Sequence, residues 1–210
     1  MKTSVVLFDL DGTLVDSLPF IKKTYRVVFA LLDLPWADGE VMRWIGRPLE
    51  DIAGYFAKSK EKEFLELYKV YYHLEHDRSI SLFPGTLEML EDLKGRGLRL
   101  GIVTSKGRNG TERAVELIGL NRYLDVIVTA HDVSRHKPFP DPIFKALSLL
   151  GALSQEAIYV GDSWFDLQAG KKAGTITLGV TWGLATREEL VASDPDGLLE
   201  TWDDLTQRFR

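Results

Sequence analysis

Hydrophobic and polar residues alternate along this chain in a pattern that predicts strands separated by amphipathic helices. Short apolar runs typical of buried strands occur at 4–8, 98–103, 125–129, 157–160 and 175–180. Apolar residues at helical spacing occur at 86–94, 111–118, 142–150, 166–173 and 201–209. Strands that alternate with helices are typical of an α/β fold, in which helices cover both faces of a parallel sheet.

The segment between the first two predicted strands interrupts this alternation. It contains no convincing strand, and its apolar residues follow helical spacing in three groups: Ile21, Tyr25, Val28, Phe29 and Leu32; Val41, Ile45, Leu49, Ile52 and Phe56; and Phe64, Leu67, Tyr68, Tyr71 and Tyr72. A connection of this length is too long to be a loop within one compact domain. We therefore expect an α/β core formed by residues 1–15 and 84–210, and a small helical cap formed by residues 16–83.

Composition and charge exclude several classes of protein. The chain is 45% hydrophobic and 27% charged, with 31 acidic and 26 basic residues and a net charge of -5. Such values are ordinary for a globular protein and exclude collagen-like and largely disordered chains. A mildly acidic chain does not suit non-specific nucleic-acid binding, which requires neutralisation of phosphates. The chain has no cysteine, so a disulfide, a thiolate metal site and a cysteine nucleophile are all excluded.

The N-terminal segment does not resemble a targeting signal. Asp9, Asp11 and Asp16 interrupt the apolar run that a signal peptide requires. No other apolar run approaches the ~20 residues that span a bilayer. We therefore expect a cytoplasmic protein that binds neither membranes nor nucleic acid. The sequence predicts no oligomeric state.

A pair of acidic residues follows the first predicted strand. Asp9 comes directly after the apolar run VVLF, and Asp11 lies two residues later, so strand periodicity directs both side chains the same way. Gly12 then permits a tight turn, and Thr13 offers a hydroxyl and a backbone N–H. Like charges this close are unfavourable unless a cation or a proton compensates them. The pair alone is compatible with an ordinary exposed turn.

Polar residues at the ends of the other strands favour a functional site. Thr104 and Ser105 follow the second strand, and Lys137 lies in the loop KPFPDP after the third. Asp162 follows the fourth strand, and Asp166 lies one helical turn further on. Ligands of open α/β sheets bind at the carboxyl ends of the strands. Carboxylates there suit a hard cation such as Mg²⁺, and a hydroxyl and an amine suit a transferring phosphoryl group.

Four of these segments resemble the motifs of the haloacid dehalogenase superfamily. They are DLDGTLVDS at Asp9–Ser17, the Thr104 position in GIVTSK, Lys137 in KPFPDP, and GDSWFDLQAG at Gly161–Gly170. The insertion resembles the helical cap of the phosphoglycolate phosphatase-like branch, whose Gly-x-Pro-Leu pattern is similar to GRPLED at 46–51. The resemblance covers nearly the whole chain. It implies a Rossmann-like core with the cap inserted after strand 1.

The resemblance also implies a role for each residue of the motifs. Asp9 is expected to be the nucleophile that forms an aspartyl-phosphate, and Asp11 the general acid and base. The metal residues are expected to be Asp9, Asp11 through its backbone carbonyl, Asp162 and, in a supporting position, Asp166, with Mg²⁺ as the cofactor. The phosphate is expected to contact Gly12, Thr13, Thr104, Ser105 and Lys137.

The expected activity is hydrolysis of a small phosphorylated metabolite by a phosphoglycolate phosphatase-like enzyme. Dehalogenases of the superfamily lack an acid at the position of Asp11, so its presence favours phosphate chemistry. A sugar phosphomutase is an alternative that Leu49 weakens, because that branch has an arginine there. A protein that binds a phosphorylated ligand without hydrolysing it is the non-enzymatic alternative.

An inorganic pyrophosphatase of the same superfamily is the main enzymatic alternative. Its cap has a Tyr-Arg and a His-Asp arrangement that Tyr68-Lys69 and His76-Asp77 resemble. Arg47 and Lys69 are the cap residues that we expect to meet the leaving group. Each of these charged residues is equally compatible with an ordinary solvated position.

Overall fold

A six-stranded parallel sheet forms the centre of the structure, a computed structural model that describes residues 3–209. In chain order the strands are β1 (Val5–Phe8), β2 (Val15–Asp16), β3 (Ser81–Leu82), β4 (Arg99–Val103), β5 (Val126–Val128), β6 (Ala157–Gly161), β7 (Ile176–Val180) and β8 (Gly197–Leu199). The order in the main sheet is β5-β4-β1-β6-β7-β8, and β2 pairs only with β3. The predicted Rossmann-like α/β fold is therefore confirmed.

Helices cover both faces of this sheet, as the alternating sequence pattern predicts. In chain order the α-helices of residues 3–209 are α1 (Leu18–Leu31), α2 (Leu49–Ala57), α3 (Glu61–Glu75), α4 (Thr86–Gly95), α5 (Arg108–Leu117), α6 (Asp141–Leu150), α7 (Trp164–Ala173), α8 (Arg187–Ala192) and α9 (Trp202–Thr206). The first three, α1–α3, form the separate helical region between β2 and β3. Val6 and Phe8 of β1 pack with α4, α5 and α9, whereas Val5 and Leu7 pack with α6 and α7. The central strand is therefore apolar at every position because both of its faces are buried.

The C-terminal part of the sheet differs from the sequence prediction. The five strands predicted for the core are present, but β8 was not predicted, because a three-residue GLL segment is too short to show strand periodicity. The helix predicted at 201–209 is α9 followed by a 3-10 turn at Gln207–Phe209. The helix predicted from 166 begins earlier, at Trp164, because Ser163 caps it.

The segment between β2 and β3 forms three α-helices around an apolar cluster of its own. Phe20, Tyr25 and Phe29 of α1 pack against Phe64 and other apolar residues of α2 and α3. The second predicted group of apolar residues is not one helix. A 3-10 segment at Ala37–Trp44 precedes α2, and Gly46 and Pro48 lie in the break between them. Gly46 has a φ of +106°, a backbone conformation that favours glycine.

Two short strands connect this helical region to the core. Val15 pairs with Leu82 and Asp16 with Ser81 in an antiparallel arrangement. The expectation of no strand between residues 16 and 83 was therefore wrong for β3. We propose that β2 and β3 form the junction between the core and the cap, with the domain boundaries predicted from the sequence. Within residues 3–209, no helix is long and apolar enough to cross a membrane.

Candidate active site

The carboxyl ends of three neighbouring strands bring the predicted site residues together. Asp9 follows β1, Thr104 follows β4, and Asp162 follows β6, while Lys137 enters from the loop after β5. All four side chains are buried. The Lys137 Nζ lies 2.8 Å from Asp9 Oδ1 and 2.7 Å from Asp166 Oδ1. One carboxylate oxygen from each of Asp9, Asp162 and Asp166 lies within 4.8 Å of the other two.

Asp166 is held by donors on both of its oxygens. Its Oδ1 accepts hydrogen bonds from Lys137 Nζ at 2.7 Å and from the Tyr159 hydroxyl at 2.9 Å. Its Oδ2 accepts from the Ser163 N–H at 3.1 Å and from Ser163 Oγ at 2.5 Å. Asp166 therefore fixes the position of Lys137 and also completes the capping box of α7.

Asp162 lies in a tight backbone pocket. Its Oδ2 accepts a hydrogen bond from the Leu184 N–H at 2.8 Å, and its Oδ1 accepts one from Thr13 Oγ1 at 3.3 Å. A Cβ at Gly12 would lie 2.1 Å from Asp162 Oδ2, and a Cβ at Gly183 would lie 2.2 Å from Asp162 Cβ. The two glycines are required because their backbones approach the carboxylate so closely.

The carboxylate of Asp11 lies apart from the trio of Asp9, Asp162 and Asp166. It accepts a hydrogen bond from Ser17 Oγ at 2.6 Å, and both of its oxygens lie 2.9 Å from Lys106 Nζ. Ser17 is the N-cap residue of α1, but its side chain makes no cap hydrogen bond and donates to Asp11 instead. The two predicted catalytic carboxylates are therefore in different electrostatic environments.

Burial and the charges of neighbouring carboxylates raise the pKa values of Asp9 and Asp162. Burial raises the pKa of Asp9 to about 7, although Lys137 acts to lower it. The pKa of Asp162 is raised well above its ordinary value by burial and then by the charges of Asp166 and Asp9. Burial acts to lower the pKa of Lys137, but Asp166 and Asp9 outweigh it and raise that pKa, so Lys137 stays charged.

The charge balance of the trio fits a divalent cation. Three buried carboxylates face one ammonium, which leaves an excess of two negative charges when all groups are ionised. Buried charges are unfavourable unless they are paired or bind a metal. Asp9 and Asp162 offer oxygen ligands of the kind that Mg²⁺ prefers, whereas each oxygen of Asp166 already accepts two hydrogen bonds. The donor set is therefore suited to Mg²⁺.

A cavity of about 270 Å³ separates these strand ends from the helical region. Asp9, Asp11, Thr104 and Lys137 line it from the core. Ser105 also lines it, but its hydroxyl donates to the carbonyl of Gly46 at 2.6 Å and so contacts the cap. Gly12 and Thr13 do not line the cavity and contact Asp162 instead.

The two predicted cap residues, Arg47 and Lys69, both line the cavity. The Arg47 guanidinium lies 4.5 Å from the ring centroid of Trp44 and 5.2 Å from that of Phe165. Its buried Nε has no hydrogen-bond partner among residues 3–209. Lys69 is exposed and also lines the cavity. His76 is buried in the helical region, with its Nδ1 2.8 Å from Asp77 Oδ1, and does not line the cavity.

Comparison with known proteins agrees with this arrangement. Residues 6–180 match the model of the haloacid dehalogenase-like hydrolase family. The chain belongs to this family. The predicted superfamily and the prediction of an enzyme are both confirmed.

The relatives of this haloacid dehalogenase-like hydrolase fall into two groups, which are named for different activities. The pyrophosphatase PpaX of Bacillus cereus is 37% identical over 206 residues, which cover 98% of this chain and 95% of the relative. The PpaX of Bacillus velezensis is 37% identical over 205 residues, which cover 97% and 95%. The crystal structure of a predicted phosphoglycolate phosphatase from Haemophilus somnus has a TM-score of 0.90 at 25% identity, covering 100% of this chain and 99% of that chain. A predicted phosphatase from Clostridium acetobutylicum has a TM-score of 0.88 at 27% identity, with coverage of 100% and 99%.

Several residues of this hydrolase site were not predicted from the sequence. Lys106 follows Thr104 and Ser105 directly, and its position at a strand end was the signal that could have indicated it. Ser17 belongs to the DLDGTLVDS segment, but a serine directly before a helical pattern is also typical of a helix cap. Tyr159 had the appearance of an ordinary strand residue. The Leu184 N–H carries no sequence signal, because a backbone donor is present at almost every position.

The perturbed acids predict an unusual pH dependence of stability in this hydrolase without Mg²⁺. Because the pKa of Asp9 is about 7 in the folded protein and about 3.8 ordinarily, the folded state binds more protons between these values. The free energy of unfolding therefore falls as the pH rises from about 5 to 8. Asp162 acts in the same direction. His76 acts in the opposite direction because burial lowers its pKa, but it is one group against two.

The measurement is thermal unfolding in EDTA and in Mg²⁺ across this pH range. In EDTA the melting temperature is expected to be lower at pH 8 than at pH 5, and Mg²⁺ is expected to stabilise the protein more at pH 8, because it replaces protons on the carboxylates. The Asp9→Asn variant should show a smaller dependence in EDTA. A wild-type melting temperature that rises with pH in EDTA would show that ionisation of these buried carboxylates does not destabilise the folded protein.

Proposed function

We propose that this protein is a Mg²⁺-dependent phosphatase that hydrolyses a small phosphorylated metabolite through phosphorylated Asp9, with inorganic pyrophosphate as its substrate. The observation that carries the proposal is the convergence of Asp9, Lys137 and Asp162 at one end of the cavity. The family match supports hydrolysis, and the curated relatives support pyrophosphate.

The first chemical step is attack of an Asp9 oxygen on phosphorus. The bond between phosphorus and the leaving oxygen breaks, and Asp11 donates a proton to that oxygen where the leaving group requires one. Lys137 binds Asp9 Oδ1 at 2.8 Å, which orients the carboxylate and neutralises charge beside the transferring group. Thr104, whose buried side chain lines the cavity, contacts the phosphoryl oxygens in this proposal.

The second step releases the phosphate. Asp11 accepts a proton from a water molecule, whose oxygen attacks phosphorus, and the bond between phosphorus and Asp9 breaks. Asp9, the backbone carbonyl of Asp11 and Asp162 would hold Mg²⁺, with Asp166 in support through Lys137 and Ser163. When bound, the cation neutralises the charge that the nucleophile and the phosphoryl group share.

The charges around the leaving-group side of the cavity support an anionic leaving group. Arg47, Lys69 and Lys106 line this side, against the two carboxylates of Asp11 and Glu50. The three cations exceed the two carboxylates by one positive charge, which suits the phosphate that leaves pyrophosphate. The small volume of about 270 Å³ suits a compact substrate. The pyrophosphatase that the sequence analysis named as the alternative is therefore the function that we favour.

2-Phosphoglycolate is the second candidate substrate. Its leaving group carries a carboxylate and is also a small anion, so the same cations could bind it. The likeness to the Haemophilus somnus structure and the GRPLED segment at 46–51 support this candidate. The geometry favours both substrates over a sugar phosphate, whose leaving group is larger and uncharged.

The test is phosphate release by the purified enzyme in Mg²⁺ from pyrophosphate, 2-phosphoglycolate, sugar phosphates and p-nitrophenyl phosphate. We expect kcat/KM for pyrophosphate to exceed that for 2-phosphoglycolate by about tenfold or more, which is a difference of about 1.4 kcal/mol in transition-state binding. A higher value for 2-phosphoglycolate would make it the substrate. Absence of release from every compound would favour a protein that binds a phosphorylated ligand without hydrolysing it.

A further inference from the structure

Lys106 is a buried cation that the two chemical steps proposed for Asp9 and Asp11 do not use. It lies in the loop between β4 and α5, and only 13% of its side chain is exposed. Its Nζ lies 2.9 Å from both oxygens of Asp11 and 4.9 Å from the ring centroid of Tyr72 in α3. The ammonium therefore lies between the predicted general acid and the cap, on the wall of the cavity.

The surroundings of Lys106 keep it charged. Both oxygens of Asp11 lie 2.9 Å from its Nζ, and this ion pair stabilises the ammonium form. The other buried lysine, Lys137, binds Asp9 and Asp166 and so lies beside the nucleophile, not beside Asp11. Lys106 is therefore a separate positive charge beside Asp11.

A leaving group that carries negative charge has a difficulty at this position. The oxygen that departs must approach Asp11, and whenever Asp11 is ionised, a carboxylate with no cation beside it repels a second anionic group on the same substrate. Lys106 cancels this repulsion, because its ammonium binds both oxygens of Asp11. Lys106 also lines the cavity, to which Arg47 and Lys69 add further positive charge. A substrate with an uncharged leaving group gains little from this cation.

We propose that Lys106 is a specificity-determining residue that selects substrates with an anionic leaving group, such as pyrophosphate, by binding that group next to Asp11. This inference rests on the proposed phosphatase function. It adds a residue of the core, from the loop that follows Thr104, to the cap residues that meet the leaving group.

The test compares two substrates in wild type and Lys106→Met. The substrates are pyrophosphate and p-nitrophenyl phosphate, whose leaving group carries no charge in the substrate. We expect kcat/KM for pyrophosphate to fall by about ten- to a hundredfold, mainly through KM, because a hydrogen bond to a charged group is lost. The value for p-nitrophenyl phosphate is expected to change by less than about threefold.

Two further variants separate charge from position. Lys106→Arg keeps the positive charge and is expected to retain most of the preference for pyrophosphate. Lys94→Met removes a lysine that pairs with Asp125 away from the cavity, and both activities should be unchanged. If Lys106→Met does not fold, as judged by its melting curve, Lys106→Gln replaces it in the comparison.

The outcomes distinguish this inference from the proposed function. Equal losses on both substrates would show that Lys106 only positions Asp11, and unchanged kinetics would show that it is not used; either result overturns the inference while wild-type hydrolysis of pyrophosphate stands. If wild type hydrolyses 2-phosphoglycolate instead, that anionic substrate takes the place of pyrophosphate. A wild type that prefers uncharged leaving groups overturns the inference, and one that hydrolyses no phosphate compound overturns both.

Discussion

Replacement of Asp9 by asparagine is expected to lower phosphate release by about a thousandfold or more, with the fold intact. The amide oxygen of asparagine is too weak a nucleophile to attack phosphorus. Asparagine nevertheless has the shape of aspartate, and its oxygen can still accept the hydrogen bond from Lys137 Nζ that is 2.8 Å long in the wild type. The loss should therefore appear in kcat, and circular dichroism and thermal unfolding should show a folded protein.

A matched control for this variant is Asp92→Asn. Asp92 is an aspartate of α4 that pairs with Arg96 at the surface, so its replacement removes one negative charge without affecting the site. We expect its activity to equal that of wild type. An Asp9→Asn variant that retains a tenth or more of wild-type activity, as an order-of-magnitude limit, would remove Asp9 as the nucleophile.

Replacement of Asp162 by asparagine is expected to weaken Mg²⁺ binding, and removal of the metal by EDTA is expected to abolish the activity of wild type. Loss of one charged metal ligand is expected to raise the Mg²⁺ concentration at half-maximal activity by about tenfold or more. Without Mg²⁺ the variant should be more stable than wild type, because the charge that burial and the neighbouring carboxylates disfavour at this position is gone.

The measurements are activity against Mg²⁺ concentration and melting temperature in EDTA. Asp203→Asn, in the first turn of α9 and exposed to solvent, is the control that removes an aspartate away from the trio. Its Mg²⁺ titration and its melting temperature in EDTA should be those of wild type. An unchanged titration in Asp162→Asn would show that Asp162 is not a metal ligand.

The residues at the strand ends could be predicted because each depends on local sequence. Asp9, Thr104 and Asp162 directly follow apolar runs, and a parallel sheet brings the carboxyl ends of its strands together whatever else the chain does. Lys137 required more than periodicity, since it lies in a loop, and the resemblance of KPFPDP to a known motif indicated it. The structure places these four residues together, as the sequence predicts.

The groups that hydrogen-bond to the predicted site residues could not be predicted in the same way. Lys106 binds Asp11, a residue 95 positions away, and the pairing depends on how β4 lies beside β1. The Leu184 N–H reaches Asp162 because of the course of the loop after β7. These contacts follow from tertiary packing, which hydrophobic periodicity does not encode.

The cap also contains a feature that hydrophobic periodicity does not predict. Its helices were predicted from apolar spacing, but the break around Gly46 and Pro48 was not, because the spacing of apolar residues continues across it. That break places Arg47 between the rings of Trp44 and Phe165, where it lines the cavity. The position of the charge that we propose to meet the leaving group therefore depends on a turn, and not on the helix pattern.

The most direct test of the account is whether Asp9 becomes phosphorylated during the reaction. Wild type is mixed with pyrophosphate and Mg²⁺, quenched with acid within the first turnover, and digested for mass spectrometry. The peptide that contains Asp9 is expected to carry one phosphoryl group on that residue, and the same peptide of the Asp9→Asn variant is expected to carry none. Turnover of pyrophosphate with no phosphoryl group on Asp9 at any quench time, or with the group on another residue, would contradict the account.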